Sequence, residues 1–200
     1  MSLKKTWLYF LMGIFAFTIF SCSGLQVTRV DSDEEIDLSG DWNDTDSKQV
    51  AQEMINDSFS SKWLGDYKSA NGRKPRVIVG AVLNKTEEHI STETFIKDLE
   101  RSFINSGRVT FVASKSQRNE IREERDDQAL NSSGAKNKGN EIAADFMLKG
   151  QINSIFDANK KAQLKYYQVE LELIDLETNE TVWIGQKKIK KVVAKRKYKA

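Results

Sequence analysis

The chain has 200 residues, 39% of them apolar, with 31 lysines and arginines against 29 acids. That length suits one domain with a single core, and ten Phe, four Trp and five Tyr exclude a disordered polymer. A formal charge of +2 offers no cation excess for phosphate neutralisation, which argues against nucleic-acid binding.

Residues 1 to 21 have the parts of a secretory signal: Lys4 and Lys5, an apolar stretch from Thr6 to Phe20, then Ser21. As a helix that stretch would be about 22 Å long, short of the roughly 30 Å hydrocarbon core, so a cleaved signal is expected rather than a span. Ile19-Phe20-Ser21-Cys22 resembles a bacterial lipobox, whose Cys receives a diacylglycerol. Cys22 is the one cysteine of the chain, so no internal disulfide competes for it. By resemblance to lipoprotein sorting rules, Ser23 after the Cys implies delivery to the outer membrane, facing the periplasm of a Gram-negative-type bacterium. Lys4 and Lys5 are the only charges before Cys22, so a chain beginning there is formally neutral.

Residues 22 to 43 carry Ser, Gly and a run of acids without an apolar period, which predicts a flexible tether. A single globular domain is then expected over 44–191. Its first helix should start at Asp44 or Asp46, with Asp46 and Gln49 as a capping box and an inward stripe of Val50, Met54, Phe59 and Trp63. Pro75 closes a turn before the continuous apolar run 77–83, the pattern of a central strand covered on both faces. Ser91 is positioned to cap a second helix with Phe95, Leu99 and Phe103 inward and Gly107 as its stop. Val109, Phe111 and Ala113 alternate in a second strand. A polar helix over 114–130, a loop at 131–140 and a short helix over 141–144 follow. Strands are expected with Phe146, Leu148, Gly150, Ile152 and Phe156 on one face, with Tyr167, Val169, Leu171 and Leu173 alternating against Gln168, Glu170 and Glu172, and over 181–189 after a turn at 177–180. Residues 192–200 form a basic, frayed tail. The order predicts an α/β (α+β) fold with a mixed sheet: a parallel centre and an antiparallel C-terminal meander.

Chemistry is sparse. His89 is the one histidine and lies in a loop after the first strand, where α/β active sites form, so it is the single catalytic candidate; an ordinary loop side chain is the simpler reading. Residues 40–47 hold several acids, but no central Gly or twelfth-position Glu completes a calcium loop, and helix capping accounts for them. No enzyme activity, metal or cofactor is expected beyond covalent lipid on Cys22. The run Glu120 to Asp127 would pair Arg122 with Asp126 on a solvated helix, or present Arg122 and Arg125 to a partner. After Glu180 there is no acid but eight bases, including Lys187 and Lys188. These either guard an edge strand against pairing or meet anionic headgroups or an acidic partner.

Taken in order, GDWNDTDS at 40 to 47, PRVIVGAVLN at 75 to 84, HISTETFIKDLERSFINSGRVTFV at 89 to 112, REERDDQ at 122 to 128, ADFMLKGQINSI at 144 to 155 and VWIGQKKIKK at 182 to 191 resemble the LpoB family. The resemblance implies an outer-membrane lipoprotein that activates class A penicillin-binding proteins, the bifunctional peptidoglycan synthases. It implies a domain like the TolB N-terminal domain and the soluble part of CsgG, a mixed sheet flanked by helices. Its partners would be the synthase and, through lipid, the membrane, with no small-molecule substrate. The chain departs from well-known members in its single proline and short tether. The alternative is a CsgG-like lipoprotein component of an envelope export or assembly complex.

Overall fold

A computed structural model of the chain describes residues 28–31, 34–37 and 39–194. The expected signal, Cys22 and residues 195–200 lie outside the described residues. The chain divides into two units, Met1–Glu34 and Glu35–Ala200. In the first, the described residues carry no regular secondary structure.

The second unit begins before the expected boundary at 44. Gly40 is buried, and the Trp42 ring meets Phe95 and Tyr167 edge-on, with centroids 5.9 and 5.7 Å apart. Helix α1 (Asp44–Ser60) is capped by Asn43, not by Asp44 or Asp46. The Asn43 side chain accepts from the Asp46 N–H, and the Asp46 carboxylate accepts from the Asn43 N–H. Val50, Ala51, Met54, Ile55 and Phe59 form its buried stripe. The stripe does not continue unbroken to Trp63, because Ser60 and Ser61 hydroxyls donate to the Asn56 and Ser58 carbonyls and end the helix. The Trp63 indole N–H also donates to the Ser58 carbonyl, at 2.7 Å, and opens α2 (Trp63–Asn71).

Strand β1 (Arg76–Asn84) is covered on both faces only over Val77, Ile78 and Val79; past a register shift before Val82, Leu83 is half exposed. Helix α3 (Thr92–Ser106) has the expected Ser91 cap, buried Phe95, Leu99 and Phe103, and Gly107 as its left-handed stop at φ 61°. Strand β2 is only Thr110–Phe111, shorter than expected, because Ser114 already opens the capping box of α4 (Lys115–Asn131) with Gln117. No helix forms over 141–144. The Glu141 carboxylate is drawn to Arg122 and Arg125 of α4, and the Asp145 N–H pairs with the Arg76 carbonyl.

The meander is longer than its apolar pattern suggests: β3 (Phe146–Ala158), β4 (Ala162–Asp175) and β5 (Thr181–Ala194). Strand β5 therefore takes in residues 192–194, which the sequence placed in the tail. Asn159 closes the first hairpin by accepting from the Lys161 and Ala162 N–H groups, and Asp175 closes the second in the same way with Glu177 and Thr178. Sheet order is β2-β1-β3-β4-β5, with β1 parallel to β2 and β3 and the rest antiparallel, as expected. Tyr167, Val169, Leu171 and Leu173 are wholly buried on the helix-covered face. Phe156 is 57% exposed, against expectation, because it lies beyond Ile152, the last β3 residue that β1 pairs. A Cβ on Gly150 would run into the Glu170 carbonyl oxygen and the Leu171 side chain, so the close β3–β4 approach requires glycine there.

The starts of β1 and β3 are joined through Asp145. Arg73 forks onto its carboxylate with two 2.8 Å bonds, and the Arg76 N–H donates to the same group. Burial alone would raise the Asp145 carboxyl, but Arg73, Tyr67 and the Arg76 N–H outweigh it and hold the pKa at about 2. A carboxylate with a depressed native pKa contributes stability above its ordinary value of 3.8 and loses it as pH falls toward 2. Asp145→Asn should therefore flatten the acid limb of the stability–pH curve between about pH 4 and 2, measured by urea unfolding. Phe103→Ala, at a fully buried site between α1 and α3, should cost about 3–5 kcal/mol in the same assay.

Candidate partner-docking surface

Strand β5 is an edge of the sheet, and its side chains alternate between two jobs. Trp183, Lys187 and Lys191 point to α1. The Trp183 indole donates to Asp57 at 3.0 Å, Lys187 pairs with Glu53, and Lys191 sits 2.6 Å from Asp46 and 2.9 Å from Asp37. Burial alone would lower the Lys191 ammonium, but the two aspartates outweigh it and raise its pKa. Gly185 lies under the Trp183 indole, which a Cβ there would strike, so both residues serve the fold.

Lys165 of β4 continues this polar seam. It pairs with Asp41 and, at 2.7 Å, with Glu88, whose other oxygen accepts the Tyr167 hydroxyl at 2.7 Å. The acids of residues 37–46 thus act as caps and lysine partners. Among the described residues no group of three or more His, Cys, Asp or Glu side chains is placed to hold a metal. His89, beside Glu88, is exposed and makes no hydrogen bond or ion pair among the described residues, so no nucleophile–base pair is assembled around it.

The other face of the meander is open. Register places Gln151, Glu170 and Gln186 in one row across β3, β4 and β5. All three neighbouring amides, Gln151, Gln168 and Gln186, donate to Glu170 and, led by Gln151, lower its pKa. The next row is Asn153, Gln168 and Lys188, and the next Ile155, Tyr166 and Lys190. Ile155, Ile184 and Val192 are 65%, 66% and 69% exposed around this polar centre. The surface therefore offers fixed amides, a carboxylate, two edge lysines and three bare aliphatic side chains.

Of the four residues expected to meet a partner, Lys188 lies on this open face. Lys187 is engaged with Glu53 behind it. Arg122 and Arg125 lie on α4, which follows β2 at the opposite edge, and both bind Glu141; Arg122 does not pair with Asp126, which takes Lys138 instead. The sequence places Lys187, Lys188, Lys190 and Lys191 on one strand, but only pairing register separates Lys188 and Lys190 from Lys187 and Lys191. Glu170 and Gln168 were legible as the outward positions of β4; their cross-strand partners Gln151 and Gln186 were not.

A family model, described as peptidoglycan-synthase activator LpoB, matches residues 46–189, from the first turn of α1 into β5. The chain belongs to the LpoB family. Among solved structures it is similar to the C-terminal domain of LpoB from Salmonella enterica, with 16% identity, 72% of this chain and 98% of that chain covered, and a TM-score of 0.43. The corresponding Escherichia coli domain gives 17% identity, the same coverage and a TM-score of 0.41. Lipoprotein GNA1162 from Neisseria meningitidis gives 8% identity over 59% of this chain and 83% of that chain, with a TM-score of 0.41. Comparison with curated proteins gives no match. The match to LpoB places the chain in a family of regulators of peptidoglycan synthesis, and no helix among the described residues is long and apolar enough to cross a membrane.

The seam that orients β5 is testable. Lys191→Ala would strand the Asp46 carboxylate, 9% exposed, without its cation, and should destabilise the domain by about 2–4 kcal/mol in urea unfolding. Lys190→Ala, on the open face, should change stability by less than about 0.5 kcal/mol.

Proposed function

We propose that this chain is an outer-membrane lipoprotein, anchored by acyl chains on Cys22, that binds a class A penicillin-binding protein from the periplasmic side and activates it without catalysing a reaction. The observation that carries the reading is the match to a family of synthase activators across almost the whole folded unit. It favours activation over the alternative role in an export assembly. The open face of β3–β5 supplies the contact, with Lys188, Lys190, Ile155 and Ile184 at its centre and rim. Activation follows if this face fits the active conformation of the synthase better than the resting one, since a ligand shifts an equilibrium by its difference in affinity for the two states.

Residues 22–34 set the reach. Thirteen residues extend to at most about 45 Å, which bounds how far a lipid on Cys22 lets the domain stand from its membrane.

Two measurements test this. Cys22→Ala should move the protein from the membrane to the soluble fraction of fractionated cells; unchanged membrane retention contradicts the anchor. The full chain should retain a class A synthase from detergent-solubilised envelope, and Lys188→Glu/Lys190→Glu should weaken that binding at least tenfold with an unchanged unfolding midpoint. Equal binding by the double variant would move the contact off the open face.

A further inference from the structure

A second surface feature lies away from the open face. A cleft of about 720 Å³ runs between α2 and the start of β5, and a smaller one of about 340 Å³ adjoins it, sharing Tyr67, Asn71 and Asp175. Its floor is apolar: Trp63 and Phe146, 5% and 3% exposed, with Tyr67 packed edge-on against Phe146 at 5.2 Å. Its rim is acidic, formed by Asp66, Asp175 and Glu180, with Glu177 on the adjoining side and Lys62 the single base of the larger cleft.

Asp46, Glu53, Glu88 and Asp145 each hold a lysine or arginine, whereas Asp66, Asp175 and Glu180 take part in no ion pair among the described residues. Asp175 spends one carboxylate oxygen on the Glu177 and Thr178 N–H groups, and among the described residues the Glu180 carboxylate accepts only the Thr178 hydroxyl, at 3.3 Å. Negative charge over an aromatic floor attracts a cation with an apolar stem. The chain already uses this chemistry once at the same place: the Arg73 guanidinium lies 5.2 Å over the Tyr67 ring and forks onto Asp145.

We infer that this cleft receives an arginine or lysine side chain from an extended segment of a protein partner. The stem would lie along Ala70, Val182 and the edges of the aromatic floor, and the charged head would meet Asp66 and Glu180. Strand β5 starts at the cleft and carries the chain away from it for 14 residues, about 43 Å at strand rise. The inference does not depend on the synthase being the partner.

The test uses the full chain in detergent and a fluorescein-labelled Gly-Arg-Gly-Arg-Gly peptide, followed by anisotropy, with the same peptide carrying Gln in place of Arg as control. The arginine peptide should bind at least fivefold more tightly than its control. Asp66→Asn/Glu180→Gln should abolish that difference, while Glu123→Gln/Glu124→Gln on α4 leaves it intact. No preference for arginine, or equal loss in both double variants, would overturn the site. If removing residues 195–200 strengthens peptide binding, the occupant is the tail of a second copy and the assignment to a different protein is overturned. Synthase retention is a separate readout, so a negative peptide result leaves the proposed function standing.

Discussion

Asp46 closes this domain. Its carboxylate caps α1 through the Asn43 N–H and also takes the Lys191 ammonium from the far end of the last strand, so the first helix and the last strand are held at one buried point. Two more contacts run down the same line, Glu53 with Lys187 and Asp57 with the Trp183 indole. Every second residue of β5 is thereby turned toward α1. Because strand side chains alternate, the intervening residues are turned outward. The seam that secures the fold thus also decides which lysines are left on the open face.

That division gives the basic C-terminal region two meanings. Half of its described lysines neutralise acids of α1 and of residues 37–46, and the rest decorate a free edge. Exposed lysines on an edge strand oppose unwanted strand pairing. The amides around Glu170 add a rigid centre. Each donates to one carboxylate, so the row is fixed before any partner arrives, which lowers the ordering cost of binding.

How much of this could be read from sequence depended on the range of the interactions. Helix α3 was legible because Ser91, the Phe95-Leu99-Phe103 period and Gly107 are local signals, and the alternation of β4 was legible because its inward residues are uniformly apolar. Misplaced boundaries were those decided by distant or competing partners. Asn43 outcompeted Asp46 as the cap while Asp46 served Lys191. Glu141 left its expected helix for two arginines of α4. Ser60 and Ser61 cut a stripe whose apolar period ran on to Trp63. The candidate surface was half visible: composition located the cations, but separating Lys188 from Lys187 needed the β4–β5 register, and no local pattern announces Gln151 opposite Glu170.

An activator that acts by docking must change the rate of its enzyme, not only bind it. The most direct measurement is the rate of glycan polymerisation by a purified class A synthase in detergent, with and without a molar excess of this protein. The account predicts a severalfold rise that saturates with concentration and is absent for the Lys188→Glu/Lys190→Glu form. A rate that stays flat while the two proteins demonstrably bind would contradict it.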